Sequence, residues 1–323
     1  MSKQSDFDQL DLAVADILAN RNVLPVVEGT SASFADLLRI ARDLSAMPRP
    51  NFKARLRSAL ERTTSMTTKT AAKTVQFREG FRTVTPYIYL TEAEELIAFV
   101  RQVFQGVETG RSAHGSGELH AEVRIGDSML MIGGGPKYKG PARPMLLRVL
   151  VQNADEVYQR ALDAGAVSTL AMTEAYGERF GCVRDRFGNQ WIISTQIGPS
   201  YAEGLHHNIT TFIRVRHAAK MVDFMVEALG AVEQMRADGP GKEVKHAVVQ
   251  IGDSVVGISD ARDESTYPPQ LYLYVPDVDA LYERAVRAGA RPTLPPADHA
   301  YGDRGAGVTD EWGNFWYMAT PLQ

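Results

Sequence analysis

The sequence predicts an α+β protein of four βαβββ units, arranged as two tandem domains behind an N-terminal helical segment. Three observations carry that expectation. The 323 residues are 44% apolar and 23% charged, with a formal net charge of −4, a balance that excludes collagen-like and largely disordered chains and allows roughly two domains of about 150 residues. Most of the chain beyond residue 82 then repeats itself at an offset near 125 residues. Within each repeat, apolar alternation with period two is interrupted twice by a stretch of helical period.

Taken in order, residues 1–62 predict three short amphipathic helices. Leu10, Val14, Ile17 and Leu18 share one face, Phe34, Leu37, Leu38, Ala41 and Leu44 a second, and Phe52, Leu56, Ala59 and Leu60 a third. Seven basic residues (Arg49, Lys53, Arg55, Arg57, Arg62, Lys69 and Lys73) face a single acid, Glu61, between Pro48 and Lys73. That run reads as a solvated helix face leading into a linker, or as a docking surface. Residues 63–82, rich in threonine, are the linker.

The domains span 83–197 and 209–321, joined by IGPSYAEGLHH. In the first, VTPYIYL reads as a strand, 93–105 as a helix, and HAEVRIG with SMLMIGG as a strand pair turning at Gly126-Asp127. MLLRVLV, a helix over 154–164 ending at Gly165, and the pair CVRD and NQWIIS repeat the plan. HAEVRIGDSMLMI (120–132) answers to HAVVQIGDSVVGI (246–258), and YGERFGCVRDRFGNQWIIST (176–195) to YGDRGAGVTDEWGNFWYMAT (301–320).

Several functions are excluded or disfavoured by composition. One cysteine, Cys182, forms no internal disulfide and supplies too few thiolates for a sulfur-built metal site, so it reads as an inert thiol. No run approaches the roughly 18 apolar residues of a membrane span, and the N-terminus lacks the order of a secretory signal, so the expected location is cytoplasmic. Near-neutral charge offers no footprint for nucleic acid.

HAEVRIGDSMLMIGG, VQNADEVYQRALDAGA and YGERFGCVRDRFGNQW together resemble the vicinal-oxygen-chelate superfamily of glyoxalases, bleomycin-resistance proteins and dioxygenases. The resemblance covers both repeats and implies paired βαβββ units whose curved sheets form cups, with helices outside and ligands inside. It also implies a divalent metal held by His, Gln or Glu in members with chemistry. The corresponding positions here are Thr85, Leu146, Thr210, Gln270, Ile192 and Tyr317, with Met131 and Gly257 near the fourth-strand position, and Gln270 alone is a plausible ligand. No cofactor is therefore expected, although a divalent metal in a rearranged site stays open.

Strand parity from those positions assigns the cup faces. In the first repeat the inward set is Thr85, Tyr87, Tyr89, His120, Glu122, Arg124, Arg148 and Gln190; in the second it is Thr210, Phe212, Arg214, His246, Gln250, Gln270, Tyr272, Tyr274, Phe315 and Tyr317. Aromatic faces with a few polar groups suit a small aromatic or amphipathic ligand. His120 and Glu122 are candidate catalytic residues, two apart on one strand face, and the second repeat keeps His246 but has Val248 in place of the carboxylate. Trp191 and Trp316, of opposite parity, read as core. The loops carrying Tyr176 with Arg179 and Tyr301 with Arg304 read as turn packing or as flaps over a ligand.

Three functions are expected from this set. The first is a metal-independent small-molecule-binding protein of the glyoxalase/bleomycin-resistance type, a monomeric pseudo-dimer or a homodimer. The alternatives are a lyase, isomerase or oxygenase working around His120 and Glu122, and a regulatory protein binding a partner through its N-terminal helices.

Overall fold

A computed structural model of the chain describes residues 78–113, 117–198, 207–261 and 266–322. The expected N-terminal helices, their basic face and most of the linker lie outside the described residues. Beyond them, sixteen strands and four helices follow in the order of four βαβββ units. The first unit is β1 (Val84–Leu90), α1 (Ala93–Phe104), β2 (Val107–Ala113), β3 (Leu119–Ile125) and β4 (Ser128–Gly134). The second is β5 (Leu146–Leu150), α2 (Ala154–Asp163), β6 (Val167–Ala175), β7 (Glu178–Arg184) and β8 (Gln190–Gln196). The third is β9 (Ile209–Val215), α3 (Ala218–Phe224) running into a π turn (Met225–Leu229), β10 (Val232–Asp238), β11 (Val244–Ile251) and β12 (Ser254–Asp260). The fourth is β13 (Gln270–Tyr274), α4 (Val278–Arg287), β14 (Arg291–Asp298), β15 (Asp303–Thr309) and β16 (Phe315–Pro321).

The α+β class and the curved-sheet plan hold, but the sheets are shared between the repeats. One eight-stranded sheet runs β14-β15-β16-β13-β1-β4-β3-β2 and the other β10-β11-β12-β9-β5-β8-β7-β6. The first unit thus joins the fourth through antiparallel β1 and β13, with Thr85 opposite Tyr272. The second joins the third through β5 and β9, with Arg148 opposite Thr210. The inward sets grouped above by repeat are therefore regrouped: Arg148 and Gln190 face the cup of Phe212 and His246, while Tyr87 and Tyr89 face that of Tyr272 and Tyr317.

Helices keep the repeats together where the sheets separate them. The α1 helix buries Leu96, Ile97, Val100, Val103 and Phe104 and carries Glu94 and Glu95 in its first turn and Arg101 in its last, matching the helix dipole. It packs on α2, whose Arg160 donates from Nε to the Val103 carbonyl at 2.8 Å, satisfying an orphan acceptor at the end of α1. Arg284 of α4 does the same for the Ala228 carbonyl at 2.7 Å. Asn153 and Asp277 cap α2 and α4 by accepting from Glu156 N and Ala280 N. Trp191 and Trp316 are fully buried, the former 4.9 Å from the Phe104 ring, as their parity predicts.

The Gly-Asp-Ser turns, read from sequence only as hairpins, also tie the two sheets to each other. Asp127 accepts from Asn208 N at 2.8 Å and Ser128 Oγ from Ile209 N at 3.0 Å, at the start of β9. Reciprocally, Asp253 accepts from Thr83 N at 2.8 Å and Ser254 Oγ from Val84 N at 3.0 Å, at the start of β1. Each turn therefore satisfies backbone donors that no neighbouring strand reaches.

Candidate functional site

The sheet of the first and fourth units gathers the richer cup. Phe81, Tyr87, Met129, Met131, Tyr272, Tyr274, Tyr317 and Ala319 form a buried cluster of their own, separate from the main core, with Tyr89 and Phe315 packed against it. The Tyr87 and Tyr89 rings lie 4.4 Å apart, Tyr272 and Tyr274 4.8 Å, and Tyr272 and Tyr317 4.7 Å, all tilted near 40°. Such offset packing is the arrangement aromatic quadrupoles favour. Glycines make the room: a Cβ on Gly133 would stand 2.9 Å from both the Tyr87 and Tyr89 rings, and one on Gly305 would meet the Tyr317 hydroxyl. Burial lifts the Tyr274 phenol to about 12 and those of Tyr87, Tyr272 and Tyr317 well above the ordinary phenol range, so all stay neutral donors at neutral pH.

Polar groups run along one side of this cluster as a chain. The Tyr89 hydroxyl donates to that of Tyr87 at 3.0 Å, and Tyr87 Oη lies 2.5 Å from His120 Nδ1. His120 Nε2 is 3.5 Å from Glu122 Oε1, and Arg78 donates twice to the same carboxylate, at 2.8 and 3.2 Å. Burial alone would raise the Glu122 carboxyl, but hydrogen bonds from His120 and Arg78 outweigh it and hold it below the usual range. Arg78 also stacks 4.1 Å over the Phe81 ring and bonds Tyr274. Arg78 and Phe81 were assigned to the linker by sequence. Arg124, expected in the cup, instead donates to the Gly126 carbonyl at 3.1 Å, near the hairpin turn.

Elsewhere in the cluster, Tyr272 donates to Asp303 at 3.0 Å and Tyr301 lies 2.6 Å from Tyr317 through their hydroxyls. Tyr301 stacks on His299 at 4.9 Å and is 59% exposed. Its counterpart Tyr176, at φ 56°, is 84% exposed and is held over no such cluster. The arginines of both loops do turn packing: Arg179 pairs with Asp155, and Arg304 with Asp279 and Asp298, pinning each turn to the helix of its own unit.

The second cup is smaller in aromatic content and dominated by one ion pair. Arg148, 3% exposed, holds Glu178 at 2.5 and 3.1 Å and Ser194 Oγ at 2.9 Å. Phe212 stacks on His246 at 5.7 Å, and burial with the nearby Arg148 charge lowers the His246 pKa. Gln190 donates to Tyr267 at 2.9 Å, and Gln250 bonds Gln234 and the Gly252 carbonyl at the hairpin end. Arg214, on the same sheet, lies near enough to Cys182 to bear on its thiol, which burial nevertheless raises to about 11. Cys182 therefore stays a thiol at neutral pH.

The positions that would hold the superfamily's metal do not fit one. Thr85 is turned to the Arg82 carbonyl at 3.0 Å, and Gly257 lies beneath the Phe212 ring, where even a Cβ would stand 2.5 Å from it. Met131 belongs to the aromatic cluster, Leu146 is core-packed, and Tyr317 is bonded to Tyr301. Gln270, at the edge of β13 opposite Phe315, has no second suitable donor among these positions. Among the described residues, no three His, Cys, Asp or Glu side chains converge.

Comparison with known proteins accords with this architecture. Residues 204–318 match the family model of the Glyoxalase/Bleomycin resistance protein/Dioxygenase superfamily. An uncharacterized protein of Mycobacterium tuberculosis is 31% identical over 140 residues, covering 40% of this chain and 82% of the relative. Another, of Mycobacterium bovis, is 34% identical over 121 residues, covering 34% and 80%. In fold, the chain is similar to glyoxalase I from Zea mays, with a TM-score of 0.60 at 13% identity over 74% of this chain and 92% of that one. It is also similar to a putative dioxygenase from Bacillus subtilis, with a TM-score of 0.53 at 12% identity over 77% and 87%. With four βαβββ units, two shared sheets and this match, the chain belongs to the glyoxalase/bleomycin resistance protein/dioxygenase superfamily.

Proposed function

We propose that this protein binds a small aromatic or amphipathic molecule in the tyrosine-lined cup of its first and fourth units, without a divalent metal. The observation that carries the reading is the separate aromatic cluster on the concave face, where Tyr87, Tyr89, Tyr272, Tyr274 and Tyr317 offer neutral phenols and ring faces for stacking. Tyr301, 59% exposed, joins this cluster through the Tyr317 hydroxyl. Each sheet is completed by two units of one chain, so a monomer suffices to build both cups.

Native mass spectrometry and metal analysis of the untagged full chain test this. The expected result is an organic adduct on the intact protein, lost in Tyr317→Ala, with metal well below one per chain. One transition-metal ion per chain would overturn the metal-independent reading.

A second reading, a lyase, isomerase or oxygenase, draws on the unbroken series Tyr89, Tyr87, His120 and Glu122. A carboxylate that orients an imidazole, which in turn contacts a phenol, is a geometry able to move a proton to the cup. Under it, Glu122→Gln removes turnover of an enolisable carbonyl substrate by at least about 100-fold while the thermal midpoint stays near that of the parent. Unaltered turnover would sink it. The regulatory reading rests on the expected N-terminal helices, whose residues lie outside the described ones.

A further inference from the structure

The two cups differ at one pair of matching positions. Arg148 and Tyr272 occupy the same place in β5 and β13, each two residues after the strand start and next to a strand beginning at Gln190 or Phe315. Glu178 and Asp303 likewise both open the penultimate strand of their units, paired with Gln196 and Pro321. In the second cup the carboxylate therefore carries its own buried guanidinium. In the first, a phenol replaces the arginine, and Tyr272 gives Asp303 one hydrogen bond at 3.0 Å. Among the described residues, no Lys or Arg forms an ion pair with Asp303.

The surroundings of Asp303 suit a positive charge. Tyr272, Tyr317 and Tyr301 are linked ring to ring or hydroxyl to hydroxyl beside it, with neutral phenols whose electron-rich faces attract cations. Among the described residues, the guanidinium bonded into this cup is that of Arg78, which Glu122 neutralises, so Arg78, Glu122 and Asp303 together leave one negative charge. Arg78 also shows how the cup holds a cation: it is stacked over Phe81 and bonded to a carboxylate and a phenol. Asp303 with its tyrosines repeats that combination with no Lys or Arg in contact among the described residues, Arg78 and His299 acting on it through space. Burial raises the Asp303 carboxyl, outweighing the Tyr272 hydrogen bond and the more distant Arg78 and His299.

The geometry points to an organic cation, a protonated or quaternary amine on an aromatic body, as the ligand class of the first cup, with Asp303 as counter-ion and Tyr272, Tyr301 and Tyr317 around the charge. This rests on the small-molecule reading above and narrows it. Phenyltrimethylammonium and tert-butylbenzene have the same shape and differ in charge, which makes them a matched pair of probes.

Titration of the full chain with each, followed by NMR of its tyrosine ring signals at pH 7.5, tests the assignment. The cation is expected to bind about tenfold tighter than the neutral isostere, with shifts at Tyr272, Tyr301 and Tyr317. Asp303→Asn is expected to abolish that preference, and Asp303→Glu to retain most of it. The parent protein's own preference stands as a test should Asp303→Asn fail to fold. Equal or tighter binding of tert-butylbenzene overturns the cationic assignment and leaves the small-molecule reading standing. An undiminished preference in folded Asp303→Asn overturns the role of Asp303. Binding of neither probe at these rings overturns the cationic assignment and counts against the cup as a ligand site.

Discussion

Replacing Arg148 by methionine is expected to cost the fold about 3–5 kcal/mol, read as a fall in the urea midpoint of unfolding. The guanidinium is 3% exposed and makes two bonds to Glu178 and one to Ser194. Without it, the Glu178 carboxylate stays buried with no counter-charge, and desolvation of a lone ion is the most costly form of burial. The double variant Arg148→Met with Glu178→Leu removes both charges and is expected to recover most of the loss, because a buried pair contributes little beyond what well-packed apolar groups supply. If the single variant lies within about 1 kcal/mol of the parent, the pair is not the anchor of the second cup. At the matching place in the first cup, Asp303→Asn is expected to change stability by less than about 1 kcal/mol, since only one neutral donor bonds that carboxylate. The two sheets thus use the same position differently, one to hold itself together and the other for a half-buried carboxylate with a single phenol donor.

Much of the fold was legible because period and parity are local properties. Helices at 93–105 and 154–164 correspond to Ala93–Phe104 and Ala154–Asp163, and Ile88, Leu90, Val123 and Ile125, of opposite parity to the cup residues, are buried. The edge strands β2, β6, β10 and β14 were not located: VETGRSA and RPTLPPAD are exposed nearly throughout and carry no alternation to read. Pairing was also invisible. β1 and β5 present similar edges, and nothing in either strand says that Val84 will face Leu273 rather than a strand of its own repeat. Consequently the candidate acid–base pair on β3 and the tyrosines of β13 and β16 were placed in different cups, whereas they share one. Arg78 and Phe81 were hidden by their linker composition. Glu178 and Asp303 had a signal, an acid recurring two residues after Tyr176 and Tyr301, which the loop reading absorbed.

Removing the carboxyl of Asp310 is expected to be among the most damaging single changes in the chain, and its reason links the core to the cup. Asp310 Oδ1 accepts from Trp312 N at 3.0 Å and Asn314 N at 2.9 Å, and Oδ2 from Asn314 Nδ2 at 2.7 Å and Trp316 Nε1 at 2.9 Å. The residue is 6% exposed and Asn314 and Trp316 are fully buried, so Asp310→Ala strands donors that water does not readily reach. At about 1–3 kcal/mol for each buried group left unmade, the loss should exceed about 4 kcal/mol. Thermal unfolding of Asp310→Ala checks this, and a midpoint within a few degrees of the parent would refute it. The turn positions Phe315 and Tyr317 on either side of Trp316: with the indole fixed in the core, alternation points both neighbours to the opposite face. A loosened turn should therefore lower ligand binding in variants that still fold, such as Asp310→Asn. That variant keeps one acceptor oxygen but turns an amide against two of the four donors. Its ligand affinity should fall together with its midpoint, whereas Tyr317→Phe should alter affinity alone, because its hydroxyl bonds only the rim residue Tyr301.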